Sequence, residues 1–209
     1  MIKKLEKYSG IVGDNIMVNI FKKVRKLYNK KILNVNSTFI GGGVSEILNS
    51  TVPLMNNSGL NVDWQVIHGK PAFYNITKKI HNGLQGEDIS LSEKEKDLYI
   101  EVNKDFPQYS HINHDFVVIH DPQPLPIANF VKQTQPWIWR CHIDLSTPNI
   151  ELWDFIKTFV FRYNTIIISH ESYRKKDLPI EQRIISPAID PLTPKNKPIS
   201  ENNMKYFML

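Results

Sequence analysis

The chain has 209 residues, 41% of them hydrophobic and 22% charged, a balance that suits one compact domain and excludes a disordered, collagen-like or coiled-coil chain. The net charge of +5 is dispersed, and its strongest cluster, Lys22, Lys23, Arg25 and Lys26, alternates with apolar positions, so no nucleic-acid partner is expected. A single cysteine, Cys141, excludes an internal disulfide framework. No segment reaches the ~18 apolar residues of a membrane helix or resembles a cleaved leader, so the expectation is a cytoplasmic protein with no membrane partner.

In chain order, Ile16, Met17, Ile20, Phe21, Val24, Leu27 and Tyr28 recur at helical spacing and predict an amphipathic helix over 14–30. A strand at 32–39 runs into Gly41, Gly42 and Gly43, and then into a helix that Pro53 is expected to interrupt. NVDWQVI at 61–67 reads as the second strand. Helices follow at 71–86 and 92–106, both read as surface coverings, the second of them exposed. Strand three is FVVIH at 116–120, LPIANFVKQ a short helix, WIWRCHI at 137–143 strand four, residues 151–163 a helix, TIIIS at 165–169 strand five and RIIS at 183–186 a sixth.

Short apolar strands separated by helices predict an α/β fold with a doubly wound, mainly parallel, Rossmann-like sheet. Ligands of such sheets collect at the C-terminal strand ends. Residues 1–186 are read as the domain and 187–209, with four prolines between Pro187 and Pro198, as a linker remnant.

Three segments end strands in groups suited to chemistry. The triglycine turn opens a helix, an arrangement that admits phosphate because glycine lets the backbone approach closely and helix-start N–H groups favour anions; a tight turn alone also explains it. Glu46 falls in the first helical turn, where a carboxylate suits the helix dipole whatever its function. In VVIHDPQPLP, Asp121 and Gln123 extend from a proline-stiffened loop and can hydrogen-bond sugar hydroxyls. In WIWRCHID, alternation places Arg140, His142 and Asp144 on one side while the strand lasts.

Other chemistries fit less well. The glycines lack the sixth-position glycine of a dinucleotide fingerprint, since Glu46 stands there, and no lysine of a phosphate-binding loop follows. Asp63 falls inside strand two and not at its tip. His111, His114, His120 and Asp121 would have to converge from a loop and a strand end to hold zinc, so no metal is expected. No GxSxG elbow is present.

NVNSTFIGGGVSEIL, VDWQVIHG, FYNITKKIHNGLQG, VVIHDPQPLP, WIWRCHIDLSTPN and PAIDPLTPKN, in this order, closely resemble the N-terminal half of archaeal trehalose glycosyltransferring synthases. These are retaining glycosyltransferases of GT-B fold, related to trehalose phosphorylases. The resemblance covers roughly residues 5–197. It implies transfer of glucose from a nucleoside diphosphate glucose to free glucose, giving trehalose with retained configuration and no cofactor. Asp121 and His142 match the aspartate and histidine that bracket the reacting sugars, and Gly42 and Gly43 the loop that faces the donor diphosphate. Glu46, Gln123, Arg140 and Asp144 would complete the substrate contacts, the last three toward the acceptor glucose.

In that family the donor nucleotide is held mainly by a C-terminal domain, which the residues after 186 are not expected to form. The expectation is therefore a chain inactive alone and completed by a separately encoded C-terminal half, with exposed strand ends that could also support a homodimer. A noncatalytic sugar-binding or interaction module, and half of a phosphorylase, are the alternatives.

Overall fold

The computed structural model describes residues 3–196. Six strands, β1 (Lys31–Asn36), β2 (Asn61–Val66), β3 (Phe116–His120), β4 (Trp137–Arg140), β5 (Thr165–Ile168) and β6 (Glu181–Ile184), form one sheet in the order β2-β1-β3-β4-β5-β6. Every pairing is parallel. The helices are α1 (Ser9–Val12), α2 (Asp14–Lys26), α3 (Gly43–Asn57), α4 (Pro71–Leu84), α5 (Glu93–Tyr109) and α6 (Ile150–Val160). The doubly wound α/β fold expected from the sequence is the one observed.

Alternation along the strands sorts their side chains between two layers. Leu33, Val35, Val117, Ile119, Trp137 and Trp139 pack into the larger core with α4, α5 and α6. Ile32 and Val62 join Leu48 and Val52 of α3 in a smaller one, with Phe116 and Val118 against it. The same period puts Asn34, His120 and Arg140 on the smaller-core side, at or near the C-terminal strand ends.

The chain winds from β1 outward to β2 in one direction and from β3 through β6 in the other. The point of reversal, between the C-terminal ends of β1 and β3, is where an open parallel sheet leaves a crevice for ligands.

Several elements differ from expectation. The helix α3 runs through Pro53, because both Pro53 and Asn49, whose carbonyl it leaves unpaired, are exposed residues that water can serve. Helix α5 is no exposed covering: it starts in a capping box of Ser92 and Glu95, and buries Tyr99, Asn103 and Phe106. Those three share one face, while the charges of its first turns suggest a solvated helix. β1 stops at Asn36, LPIANFVKQ forms only a 3-10 turn over Leu125–Asn129, and β4 ends at Arg140.

The proline-rich exit folds back as far as it is described. Asp190 accepts hydrogen bonds from Ser50 Oγ (3.0 Å) and Tyr8 Oη (2.9 Å) and pairs with Lys3, tying it to α3 and the N-terminal segment. The closing residues 204–209 lie outside the described part. Among the described residues, no helix is long and apolar enough to cross a membrane.

Candidate functional site

Beyond β3 the chain turns sharply at Asp121, whose φ of 61° is left-handed. Aspartate tolerates this region better than most residues, but it holds only where surroundings dictate it. Here they do. Asp121 N–H donates to the Arg140 carbonyl (2.9 Å), and the indole N–H of Trp139 donates to the Asp121 carbonyl (3.0 Å). Tyr99 Oη donates to the Pro122 carbonyl and Asn103 Nδ2 to the Gln123 carbonyl (3.1 Å). The loop that carries Asp121 and Gln123 is thus held by β4 on one side and α5 on the other.

The side chain of Asp121 reaches the segment that follows β4. Its Oδ1 accepts the backbone N–H of His142 at 2.7 Å. Burial outweighs that bond and the nearby Arg140 charge, and lifts the carboxyl to about pKa 7. No donor among the described residues bonds its second oxygen.

His142 in turn meets His120. The two rings lie nearly parallel, with centroids 5.4 Å apart, and His142 Nε2 is 3.0 Å from His120 Nδ1. His120 Nε2 is 3.0 Å from Asn34 Oδ1. A chain of three side chains therefore crosses from β1 to β3 to the end of β4, along the reversal point of the sheet. Burial and the neighbouring charge of Arg140 lower both histidines, His120 to about 3 and His142 to about 4, with His142 itself adding to the depression of His120. Both rings are neutral at physiological pH.

The glycine turn follows β1 on the same edge. Gly41 and Gly42 have φ of 79° and 83°, conformations that require glycine. Gly42 caps α3 and Gly43 is its first residue. Ser45 folds its hydroxyl back onto the Gly41 and Gly42 carbonyls (2.6 and 2.9 Å), so the loop's acceptors turn inward. A Cβ added at any of the three glycines would meet no atom within 4 Å, which leaves the backbone open to an incoming group.

This geometry agrees with what the chain resembles. Residues 34–175 match the model of the trehalose synthase N-terminal domain, two thirds of the sequence. The chain belongs to the trehalose synthase N-terminal domain family. It is 46% identical over 205 residues to the trehalose synthases of Thermococcus litoralis and Pyrococcus furiosus, covering 97% of this chain and 50% of each relative. With the trehalose synthase of Rubrobacter xylanophilus it shares 35% identity over 213 residues, 99% of this chain and 51% of the relative. The chain spans about half the length of the curated relatives it matches.

Within this trehalose synthase N-terminal domain, not every expected side chain gathers. The row of Arg140, His142 and Asp144 does not form, because the strand ends at Arg140 and His142 gives its N–H to Asp121. The Arg140 guanidinium is buried across the sheet, donating from Nη2 to the Ile185 carbonyl (2.7 Å) and Ser169 Oγ (3.3 Å), with Nη1 buried and without a partner among the described residues. It acts on the site through its charge. Asp144 accepts from Ser146 N–H (2.8 Å), and its hydrogen bonds to Ser146 hold its carboxyl below the usual carboxylate range. Glu46 is half-buried and pairs with Lys195 at 2.6 Å. Gln123 is half-buried beside Asp121.

The suspected histidine cluster also separates. His114 lies before β3 and meets Asp63 at 2.9 Å, while His120 stands at the strand's other end. Among the described residues no three histidine, cysteine, aspartate or glutamate side chains are placed to share a metal ion.

No sequence motif marks Asn34, and the sequence offers His120 only as a possible metal ligand. The signal for Asn34 was present: an amide in the otherwise apolar run of a central strand must find a buried partner.

Proposed function

We propose that this domain is the acceptor half of a retaining glycosyltransferase of GT-B architecture. It transfers glucose from a nucleoside diphosphate glucose to free glucose, forming trehalose, and works only with a C-terminal half that holds the nucleotide. The observation that carries this reading is the pairing of Asp121 and His142. They sit at the end of neighbouring strands, are joined by a 2.7 Å bond, and each keeps a polar atom unengaged by the described residues.

The chemistry follows from what such a site supplies. In a retaining transfer, an oxygen of the departing diphosphate takes the acceptor's proton on the face it leaves, so the protein needs no nucleophile. Its work is to position two sugars and stabilise developing charge. The free oxygen of Asp121 accepts a hydroxyl of the acceptor glucose, with Gln123 adding a second contact. His142 holds a hydroxyl of the donor sugar. The Gly42–Gly43 backbone and the start of α3 face the diphosphate, whose charge the helix N-terminus favours. Basic groups for the leaving diphosphate come from the other half, and loss of one such stabilising donor costs ~10²–10³ in rate.

The test mixes this chain with the C-terminal half of a 46% identical relative, glucose and a panel of nucleoside diphosphate glucoses. Trehalose appearing only in the mixture is the expected result. Trehalose from this chain alone, or none from a complex that forms, overturns the reading; dependence on inorganic phosphate would make it half of a phosphorylase.

A further inference from the structure

We infer that Asn34 and His120 are positioning residues that fix the proton of His142 on Nε2, so that its Nδ1 lone pair is what the site presents to a hydroxyl. The inference rests on the functional reading above only for the identity of that hydroxyl; the arrangement of protons stands on geometry.

The argument starts at Asn34. Its side-chain oxygen faces His120 Nε2 at 3.0 Å, and a carbonyl oxygen can only accept. His120 therefore carries its proton on Nε2. Being neutral in a buried setting, it has no second proton, and Nδ1 is an acceptor. The atom 3.0 Å away is His142 Nε2, which must then be the donor. A neutral His142 protonated at Nε2 has its lone pair at Nδ1, an atom with no hydrogen-bond partner among the described residues.

Burial makes this ordering firm. Asn34 is 7% and His120 6% exposed, so water cannot readily replace a partner. A mismatched tautomer would set two lone pairs or two protons against each other in low dielectric, where an unmade bond costs most. Asn34 lies on β1 and His120 on β3, so the rigid centre of the sheet sets the orientation of a ring that itself sits just past β4. The consequence is chemical: His142 accepts a hydrogen bond from the donor sugar's hydroxyl, leaving that oxygen electron-rich near a carbon that gains positive charge in the transfer.

Nuclear magnetic resonance of the full chain with ¹⁵N-labelled histidine tests the proton order directly. The expected spectrum has the bridging proton covalently bound to His142 Nε2, with coupling across the bond to His120 Nδ1. A bridging proton on His120 Nδ1, or no coupling between the rings, overturns the inference without touching the functional reading. In the two-half enzyme, Asn34→Leu is expected to lower kcat/KM for the donor ~10–100-fold, as removal of an orienting partner does elsewhere. Asn34→Asp, which keeps an acceptor toward His120, is expected to restore most of it. Equal activity of Asn34→Leu and wild type overturns the positioning role. Should the unaltered halves together make no trehalose, the functional reading fails and the spectrum alone decides the tautomer.

Discussion

Asp121 accepts the His142 backbone N–H at 2.7 Å while holding a left-handed φ of 61°, so one residue joins the ends of β3 and β4 and carries the strain of doing so. Its ionised form is also disfavoured. The carboxyl titrates near 7 in the fold and near ~3.9 unfolded, so the native state keeps a proton that the unfolded chain has lost. Stability from this group is fully present below about pH 4, falls as pH rises toward 7, and stays lost above. Asp121→Asn retains an acceptor for His142 and suits a positive φ. It is expected to stabilise the fold by ~1–4 kcal/mol at pH 8, with the gain vanishing near pH 4, while the two-half enzyme loses activity. Denaturant titrations at the two pH values measure it.

The histidine pair gives the opposite slope. His120 and His142 stay neutral in the fold to about 3 and about 4, whereas unfolded histidines take up protons near ~6.5. Stability is therefore present above 6.5 and is lost as pH falls through the window toward 4, by ~1.4 kcal/mol per pH unit for each ring. Between pH 6.5 and 4, Asp121 offsets one of the two. Relative to wild type, His120→Gln should flatten the acid limb of the stability curve and Asp121→Asn should steepen it, each by about one proton's slope. Equal slopes in all three proteins would contradict the burial of these groups.

Much of this architecture was legible because strands and helices announce themselves by period. FVVIH at 116–120 is a strand with those bounds, and the glycine turn is where the sequence marks it. What failed was inference that extended a local pattern past a tertiary event. Alternation grouped Arg140, His142 and Asp144, but Asp121, distant in sequence, takes the His142 N–H and ends the ladder. Charges in the first turns of α5 hid the buried face of Tyr99, Asn103 and Phe106. Asn34 and His120 are 86 residues apart, and neither has a meaning until β1 and β3 are neighbours.

The glycine turn yields a contrast between adjacent positions. Gly42 has a φ of 83° while Gly43 is the first residue of α3, and neither lies near an atom that a methyl group would strike. Backbone conformation alone separates them. Gly42→Ala should cost ~1–3 kcal/mol, the penalty of a side chain at positive φ with an extended ψ of 157°, a combination essentially reserved to glycine. Gly43→Ala should be neutral or stabilise by up to ~1 kcal/mol, because it narrows the unfolded ensemble without strain. Urea unfolding of both variants distinguishes this from crowding, which would penalise each alike. With the second half present, both should weaken nucleotide-sugar binding by thickening the loop.

The hold of α5 on the loop of Asp121 and Gln123 has a consequence at a distance. Tyr99 donates its buried hydroxyl to the Pro122 carbonyl, next to the strained Asp121, and this is the bond that joins that carbonyl to α5; its other partner is the Leu125 N–H (3.2 Å) within the same turn. Tyr99→Phe keeps the ring packed against Phe73 and Phe159 but leaves the carbonyl only the Leu125 N–H, at a cost of ~0.5–1.5 kcal/mol. Because the lost bond anchors the turn and not the core, the effect should reach function. In the proposed two-half enzyme the KM for the acceptor should rise more than kcat falls, since Asp121 and Gln123 both hang from this loop. Asn103→Leu, which frees the Gln123 carbonyl, should shift the same parameter in the same direction. If each variant loses stability while acceptor KM stays unchanged, α5 supports the fold without tuning the site.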